Sequence, residues 1–232
     1  MSSVTLWVES GTIFNVINFW HMQKITEQIN FWSGRDGNSY TDRNPQSVKE
    51  LDGLYKKQYG VLRTAMNRKF LSGISKDVKI LEVGANIGLQ LELLRKMGFT
   101  NLLGIEVNEY AVEAAKKIHP KIDIIKGSAF DLPFKKNYFD LVFTSGVLIH
   151  IAPKDVKKAT KEIVRVSGGY IWGMEYYAPK LTDIEYRGKK GFLWKRDFCD
   201  FYLKNFSDLK LAREEKYKMN DGNASQMFLL KK

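Results

Sequence analysis

The string LEVGANIGLQLELL, residues 81 to 94, constrains the fold more than any other part of this 232-residue chain. An apolar strand runs into Gly84, Asn86 and Gly88, and a helix opens directly afterwards. A turn this tight needs glycine at Gly84, because a missing side chain lets backbone N–H groups and a helix N-terminus approach a ligand closely. Such a loop serves nucleoside cofactors generally, and its spacing narrows the choice. A dinucleotide fingerprint requires G-x-G-x-x-G, yet Asn86 and Leu89 stand at its second and third glycine positions, which disfavours NAD. No G-x-x-x-x-G-K-[ST] string occurs either, so phosphoryl transfer through a P-loop also loses support.

Further landmarks follow at the spacing of a cofactor site. Glu82 places an acid two residues before Gly84, and Ala85 completes the turn. Glu106 ends the apolar run NLLGIEV roughly twenty residues on, where an acid at a strand terminus accepts both ribose hydroxyls. Val107 follows it, and Asn108 reads as a helix cap. In IIKGSAFDLPF, Ser128 and Ala129 offer a hydroxyl and a backbone N–H to an adenine edge, while Asp131 is either a second contact or a turn former before Leu-Pro. The strand FDLVFTSG then brings Thr144, Ser145 and Gly146 beside the far end of the cofactor.

Apolar runs and helical repeats alternate between Val78 and Tyr177, which predicts a mainly parallel sheet covered on both faces. Before it, the spacing of Val48, Leu51, Tyr55, Leu62, Met66 and Phe70 predicts one or two amphipathic helices. After it come a polar loop, a helix expected over 192–206, and two strand candidates, LKLAREEKY and SQMFLLKK, able to pair as a hairpin. The expected fold is α/β and Rossmann-like, with a seven-stranded, mainly parallel sheet and a reversed last strand.

The chain is long enough for one substantial α/β domain. Residues 22–232 are read as that domain, with a helical lid over 22–74 and a core over 75–232. Residues 1–21, apolar and followed by Met22, read as an upstream extension. Lys and Arg exceed Asp and Glu by 37 − 26 = 11, but the paired lysines are scattered along the chain, as on solvated faces. A nucleic-acid partner is thus disfavoured without being set aside. The single cysteine, Cys199, leaves no intramolecular disulfide and no cysteine-rich metal site, which suits the cytoplasm. No stretch reaches the roughly 18 apolar residues needed to cross a bilayer, and no histidine has metal-ligand spacing. No sequence feature sets an oligomeric state.

In combination, Glu82 to Gly88, Glu106, Gly127 to Ala129 and the strand at Asp140 resemble the class I methyltransferases. That resemblance implies S-adenosylmethionine as cofactor and S-adenosylhomocysteine as product, with no metal, although many such enzymes carry an acid where Ser128 stands. FWSGRDGNSYTDRN, FTSGVLIHI, EYYAP, IEYRG, LWKRDF and the terminal FLLKK extend the likeness over residues 28 to 232 to the methylases associated with pseudaminic acid biosynthesis. The closer resemblance implies a small, sugar-related acceptor. Arg35-Asp36 and Gly168-Gly169 depart from that family's pattern.

Catalytic candidates sit where the strands end. His150 closes the fourth strand and is either a general base or a histidine bonded to a backbone carbonyl. Glu175 and Tyr176 end the fifth strand and are expected to project toward the crevice, with Tyr177 beside them as a substrate contact; burial in the core is the competing account. Tyr186, Arg187 and Arg196 suit a carboxylate or phosphate on the acceptor. Trp32, Tyr40, Arg43 and Asn44 would close over it from the N-terminal side. An RNA or ribosomal methyltransferase, and a cofactor-binding module without catalysis, are the alternatives.

Overall fold

The computed structural model describes residues 26–232, so the expected extension over 1–21 lies outside the described residues. The described chain opens with four helices, α1 (Glu27–Ser33), α2 (Arg35–Arg43), α3 (Val48–Tyr59) and α4 (Arg63–Phe70). Local chemistry sets their ends. Thr26 caps α1 by accepting from the Ile29 N–H, and Ser47 caps α3 by accepting from the Glu50 N–H while the Glu50 carboxylate reaches back to the Gln46 N–H. At Gly34 the chain turns from α1 into α2 so tightly that a Cβ there would lie 2.8 Å from the Asn30 carbonyl oxygen.

The core alternates β1 (Lys79–Val83), α5 (Leu89–Lys96), β2 (Asn101–Glu106), α6 (Glu109–Ile118), β3 (Asp123–Lys126), β4 (Phe139–Ser145), α7 (Pro153–Val166) and β5 (Ser167–Tyr176). A small ribbon of β6 (Thr182–Asp183) and β7 (Trp194–Lys195) follows, then α8 (Phe198–Asn205) and the hairpin of β8 (Lys210–Lys218) and β9 (Ala224–Lys231). The main sheet has seven strands in the order β3-β2-β1-β4-β5-β9-β8. Its first five are mutually parallel, and β9 runs antiparallel to both neighbours. The expected Rossmann-like sheet with a reversed last strand is therefore the one that forms.

Period-two alternation explains the apolar strands. Leu81 and Val83 of β1, Val142 of β4, Ile171 of β5, and Phe228 and Leu230 of β9 pack on one face with Ile163, Phe198 and Tyr202. Ile80, Leu141, Phe143, Trp172, Met227 and Leu229 pack on the other with Met66, Phe70, Leu91 and Leu94. Both faces are covered, so the strands are apolar on both sides except at a few buried polar positions such as Glu82 on β1 and Gln226 on β9.

The helix expected over 192–206 is a correction. Only Phe198–Asn205 is helical, because Asp197 caps it by accepting from the Asp200 N–H and the Gln226 side-chain oxygen takes the N–H groups of Phe198 and Cys199. Phe192, Leu193 and Trp194 are buried instead in the extended approach to it. Their apolar spacing alone does not separate a short buried strand from a helix.

Two asparagines tie the N-terminal helices to the sheet. Asn108 caps α6 through its Oδ1, and its Nδ2 donates to the Trp32 carbonyl and the Asn38 side-chain oxygen, both at 2.9 Å. Asn86 donates from Nδ2 to the Thr41 hydroxyl at 3.1 Å. Asn108→Ala removes a cap and both tethers, and it should lower unfolding stability by about 1–3 kcal/mol in chemical denaturation. Hydrogen exchange should accelerate most over 27–43; an unchanged exchange rate there would contradict the tethering role.

Candidate active-site cleft at the strand ends

Because the first five strands run in parallel, their carboxyl ends meet along one edge of the sheet, and a cleft of about 490 Å³ opens there. Its cofactor-like end is built on the loop after β1. Gly84 has φ +76°, and its N–H and that of Ala85 both donate to the Ile105 carbonyl, at 2.8 and 3.1 Å. A Cβ on Gly84 would fall 2.5 Å from a Val147 methyl group, so the glycine keeps the loop and the turn after β4 in close approach. Asn86 also adopts positive φ, 49°, and its Oδ1 accepts from the Ile87 N–H at 2.8 Å, a local bond that lets asparagine stand in a left-handed position.

Glu106, at the end of β2, is 8% exposed and holds this loop. Its Oε2 accepts from the Asn86 N–H at 2.8 Å and its Oε1 from the Asn108 N–H at 2.9 Å. Burial raises its pKa, and these backbone donors act in the opposite direction. Each oxygen keeps a lone pair, and the residue lines the cleft. Glu82 also lines it and is nearly fully buried; burial raises its carboxyl well above the usual range, the Arg63 charge opposes this, and its Oε2 has no partner. A loop whose Gly84 admits no Cβ, a buried carboxylate with spare lone pairs and an acid with an unpartnered oxygen together fit a nucleoside that carries a cationic tail.

Ten of the twelve cofactor candidates line the cleft: Glu82, Gly84, Ala85, Asn86, Glu106, Val107, Ser128, Ala129, Ser145 and Gly146. Gly88 and Thr144 stand behind the wall. Gly88 packs toward the Ile122 and Ile124 side chains, and Thr144 is buried beside Glu175.

The other end of the cleft is aromatic and basic. Trp32, Tyr40, Arg43 and Asn44 from the N-terminal side meet His150, Tyr176, Tyr186 and Arg187. The Trp32 ring lies 4.4 Å from that of His150 and 5.8 Å from that of Tyr186, and it meets Tyr40 edge-on at 5.3 Å. Arg43 donates to the Tyr186 hydroxyl at 3.0 Å, joining the two sides. Arg187 has φ 51°, at the tip of the Tyr186–Lys189 turn. Tyr177 and Arg196 are outside the lining, where Lys216 covers the Tyr177 ring and Arg196 covers Phe201.

Glu175 does not project into the cleft. Met174 and Tyr176 line it, and strand alternation puts Glu175 on the opposite face, 1% exposed. There it accepts from the backbone N–H groups of Val147 and Ile149, at 3.2 and 3.4 Å, and so braces the 3-10 turn Leu148–His150 from beneath. Burial pushes its carboxyl up to about 7, against the opposing bonds from Thr144, Val147, Leu148 and Ile149. His150 is bonded to a backbone carbonyl and lines the cleft as well: its Nδ1 is 2.7 Å from the Phe192 carbonyl oxygen, an acceptor, so Nδ1 carries the proton and Nε2 the lone pair. Burial lowers its pKa to about 4.

Tyr55, Gln58 and Tyr59 of α3, Met174 and Ser225 also line the cleft, and none was expected to. The amphipathic spacing of α3 signals a packed face without telling core from cleft wall. Among the described residues no group of three or more His, Cys, Asp or Glu side chains converges as metal ligands, and no helix is long and apolar enough to cross a membrane.

Known proteins match this architecture. Residues 81–172 match the family described as "Methyltransferase domain". A sterol 24-C-methyltransferase, erg6, of Aspergillus fumigatus is 31% identical over 118 residues, covering 48% of this chain and 30% of that protein. The chain thus spans less than half the length of the first curated relatives that it matches. Among solved structures, a SAM-dependent methyltransferase from Methanosarcina mazei superposes with a TM-score of 0.59 at 17% identity, over 68% of this chain and 94% of that one. The [4+2]-cyclase SpnF superposes with a TM-score of 0.58 at 14% identity, over 73% and 79%. Strand order, the reversed strand and the match over residues 81–172 place the chain on the Rossmann-like fold of the class I methyltransferases.

Proposed function

We propose that this protein transfers a methyl group from S-adenosylmethionine to an oxygen or nitrogen of a small, sugar-related acceptor, releasing S-adenosylhomocysteine. The observation that carries the cofactor half is Glu106, buried at the end of β2 with both oxygens anchored on backbone N–H groups and facing the cleft. The acceptor half draws support from the wall of Trp32, Tyr40 and Tyr186 with Arg43 and Arg187, since aromatic faces stack on sugar rings and guanidinium groups bind their acidic substituents. All five of these residues lie outside residues 81–172, the span of the family match, and the sterol belongs to the name of a relative of which the matched stretch covers only 30%.

When bound, S-adenosylmethionine supplies an electrophilic methyl group on a sulfonium. The chain's own work is alignment: Glu106 accepts the ribose hydroxyls, Ser128 and Ala129 meet the adenine edge, and the aromatic wall orients the acceptor and excludes water. His150 presents the lone pair of Nε2 to the cleft. With a pKa near 4 it is a poor base toward a neutral hydroxyl. It is adequate once the oxygen has begun to bond carbon, because an alkylated hydroxyl is a strong acid. His150 therefore orients first and takes the proton late, while Tyr176 and its phenol hold a neighbouring acceptor group.

Three measurements check this reading. Glu106→Ala should weaken S-adenosylmethionine binding by about 1–3 kcal/mol in calorimetry, because the ribose diol loses its acceptor; unchanged affinity would remove Glu106 from the site. The ring protons of His150 should show no titration in NMR between about pH 5.5 and 8, since the folded-state pKa lies near 4. Its contribution to stability is accordingly intact above the unfolded value of 6.5 and is lost as pH falls through about 4. In an acceptor panel scored by S-adenosylhomocysteine release, sugar nucleotides and nonulosonates should turn over. Turnover of a sterol alone, or of RNA with steep salt dependence, would sink the sugar assignment.

A further inference from the structure

Arg63, the first residue of α4, is wholly buried, with 0% exposure. Its Nε donates to the Asn67 side-chain oxygen and its Nη1 to the Tyr55 hydroxyl, both at 2.8 Å, and its guanidinium faces the rings of Tyr55 and Trp172. Nη2 has no partner. No ion pair among the described residues includes it. An uncompensated buried cation is costly, so its position against the wall of a cleft calls for a negative charge nearby. Glu82 senses it, yet both residues keep an orphaned polar atom, Oε2 on one and Nη2 on the other.

Tyr55 is the contact between this charge and the cleft. One lone pair of its hydroxyl is taken by Arg63, and its proton meets only the Met174 sulfur, a weak acceptor, at 3.8 Å. A hydroxyl that accepts from a cation donates more strongly, and this one lines the cleft. Around it Gln58, Tyr59, Tyr176 and Ser225 are uncharged, and Tyr59 and Ser225 are bonded to each other at 2.9 Å. Glu82 is the acid on the adjoining stretch of wall, and burial raises its carboxyl well above the usual range, which disfavours its charged form.

We infer that Tyr55, backed by the buried guanidinium of Arg63, forms a carboxylate-binding subsite on the α3 wall of the cleft. The inference rests on the cofactor reading above. The carboxylate comes either from the amino-acid end of the cofactor or from an acid on the acceptor, and the two sources are separable.

The experiment titrates S-adenosylhomocysteine and its decarboxylated amine, which keeps the nucleoside and the ammonium, into the wild-type protein, Arg63→Met and Tyr55→Phe. Wild type should prefer the intact compound by about tenfold, the scale of one charge-assisted hydrogen bond. Both variants should lose that preference while binding the amine as wild type does, which also shows that they are folded. A second arm saturates the same proteins with S-adenosylhomocysteine and titrates N-acetylneuraminate and its methyl ester. A preference for the free acid that disappears in both variants assigns the carboxylate to the acceptor. If neither preference depends on Tyr55 and Arg63, the subsite is overturned. Failure of wild type to bind either nucleoside would overturn the cofactor reading instead.

Discussion

The carboxylate of Glu106 is the interaction on which the rest of the cleft depends. It ends β2, yet it accepts from Asn86 in the loop after β1 and from Asn108 at the start of α6. Three separate segments are thereby held by one side chain. Water-facing carboxylates do not organise backbone this way, because solvent competes for their lone pairs; at 8% exposure the competition is largely gone. The same burial makes the group expensive to leave half satisfied. A ligand offering hydroxyls to its remaining lone pairs therefore gains more than it would at an exposed acid.

Strand alternation sorts the other end of the cleft. Met174 and Tyr176 face the cavity, while Glu175 between them faces away and carries the turn that delivers His150. The histidine is then fixed from two directions, by that braced turn and by the Phe192 carbonyl. The second fixing point belongs to the extended segment before α8, so this segment shapes the site even though it contributes little regular structure. The β6–β7 arm and the first two helices close on each other through Arg43 and Tyr186.

Much of this was legible in residue order. Strands buried on both faces need continuous apolar runs, so their number, positions and parallel arrangement could be read, and the spacing of Gly84 and Glu106 at the ends of adjacent strands brings both to one cleft. Orientation was less legible. The string at Glu175 and Tyr176 shows that a strand ends there, but which of the two faces the cleft is set by register against β9. Phe192 to Trp194 carry an apolar pattern compatible with either a helix or a buried strand, and only the cap at Asp197 decides. Arg63 and Tyr55 were invisible for a different reason: an arginine in an amphipathic segment is ordinarily a solvated cation, and nothing local announces that α3 and α4 bury this one.

The two asparagine tethers bear on how molecules come and go. Asn86 and Asn108 hold α1 and α2 by their side chains, and their own backbone N–H groups grip Glu106. Lifting those helices, which carry Trp32, Tyr40 and Arg43 of the aromatic wall, therefore loosens the residues that Glu106 holds. Opening at the aromatic end and loosening at the Glu106 end become a single motion, so the cleft gives way as one unit and not at either end alone.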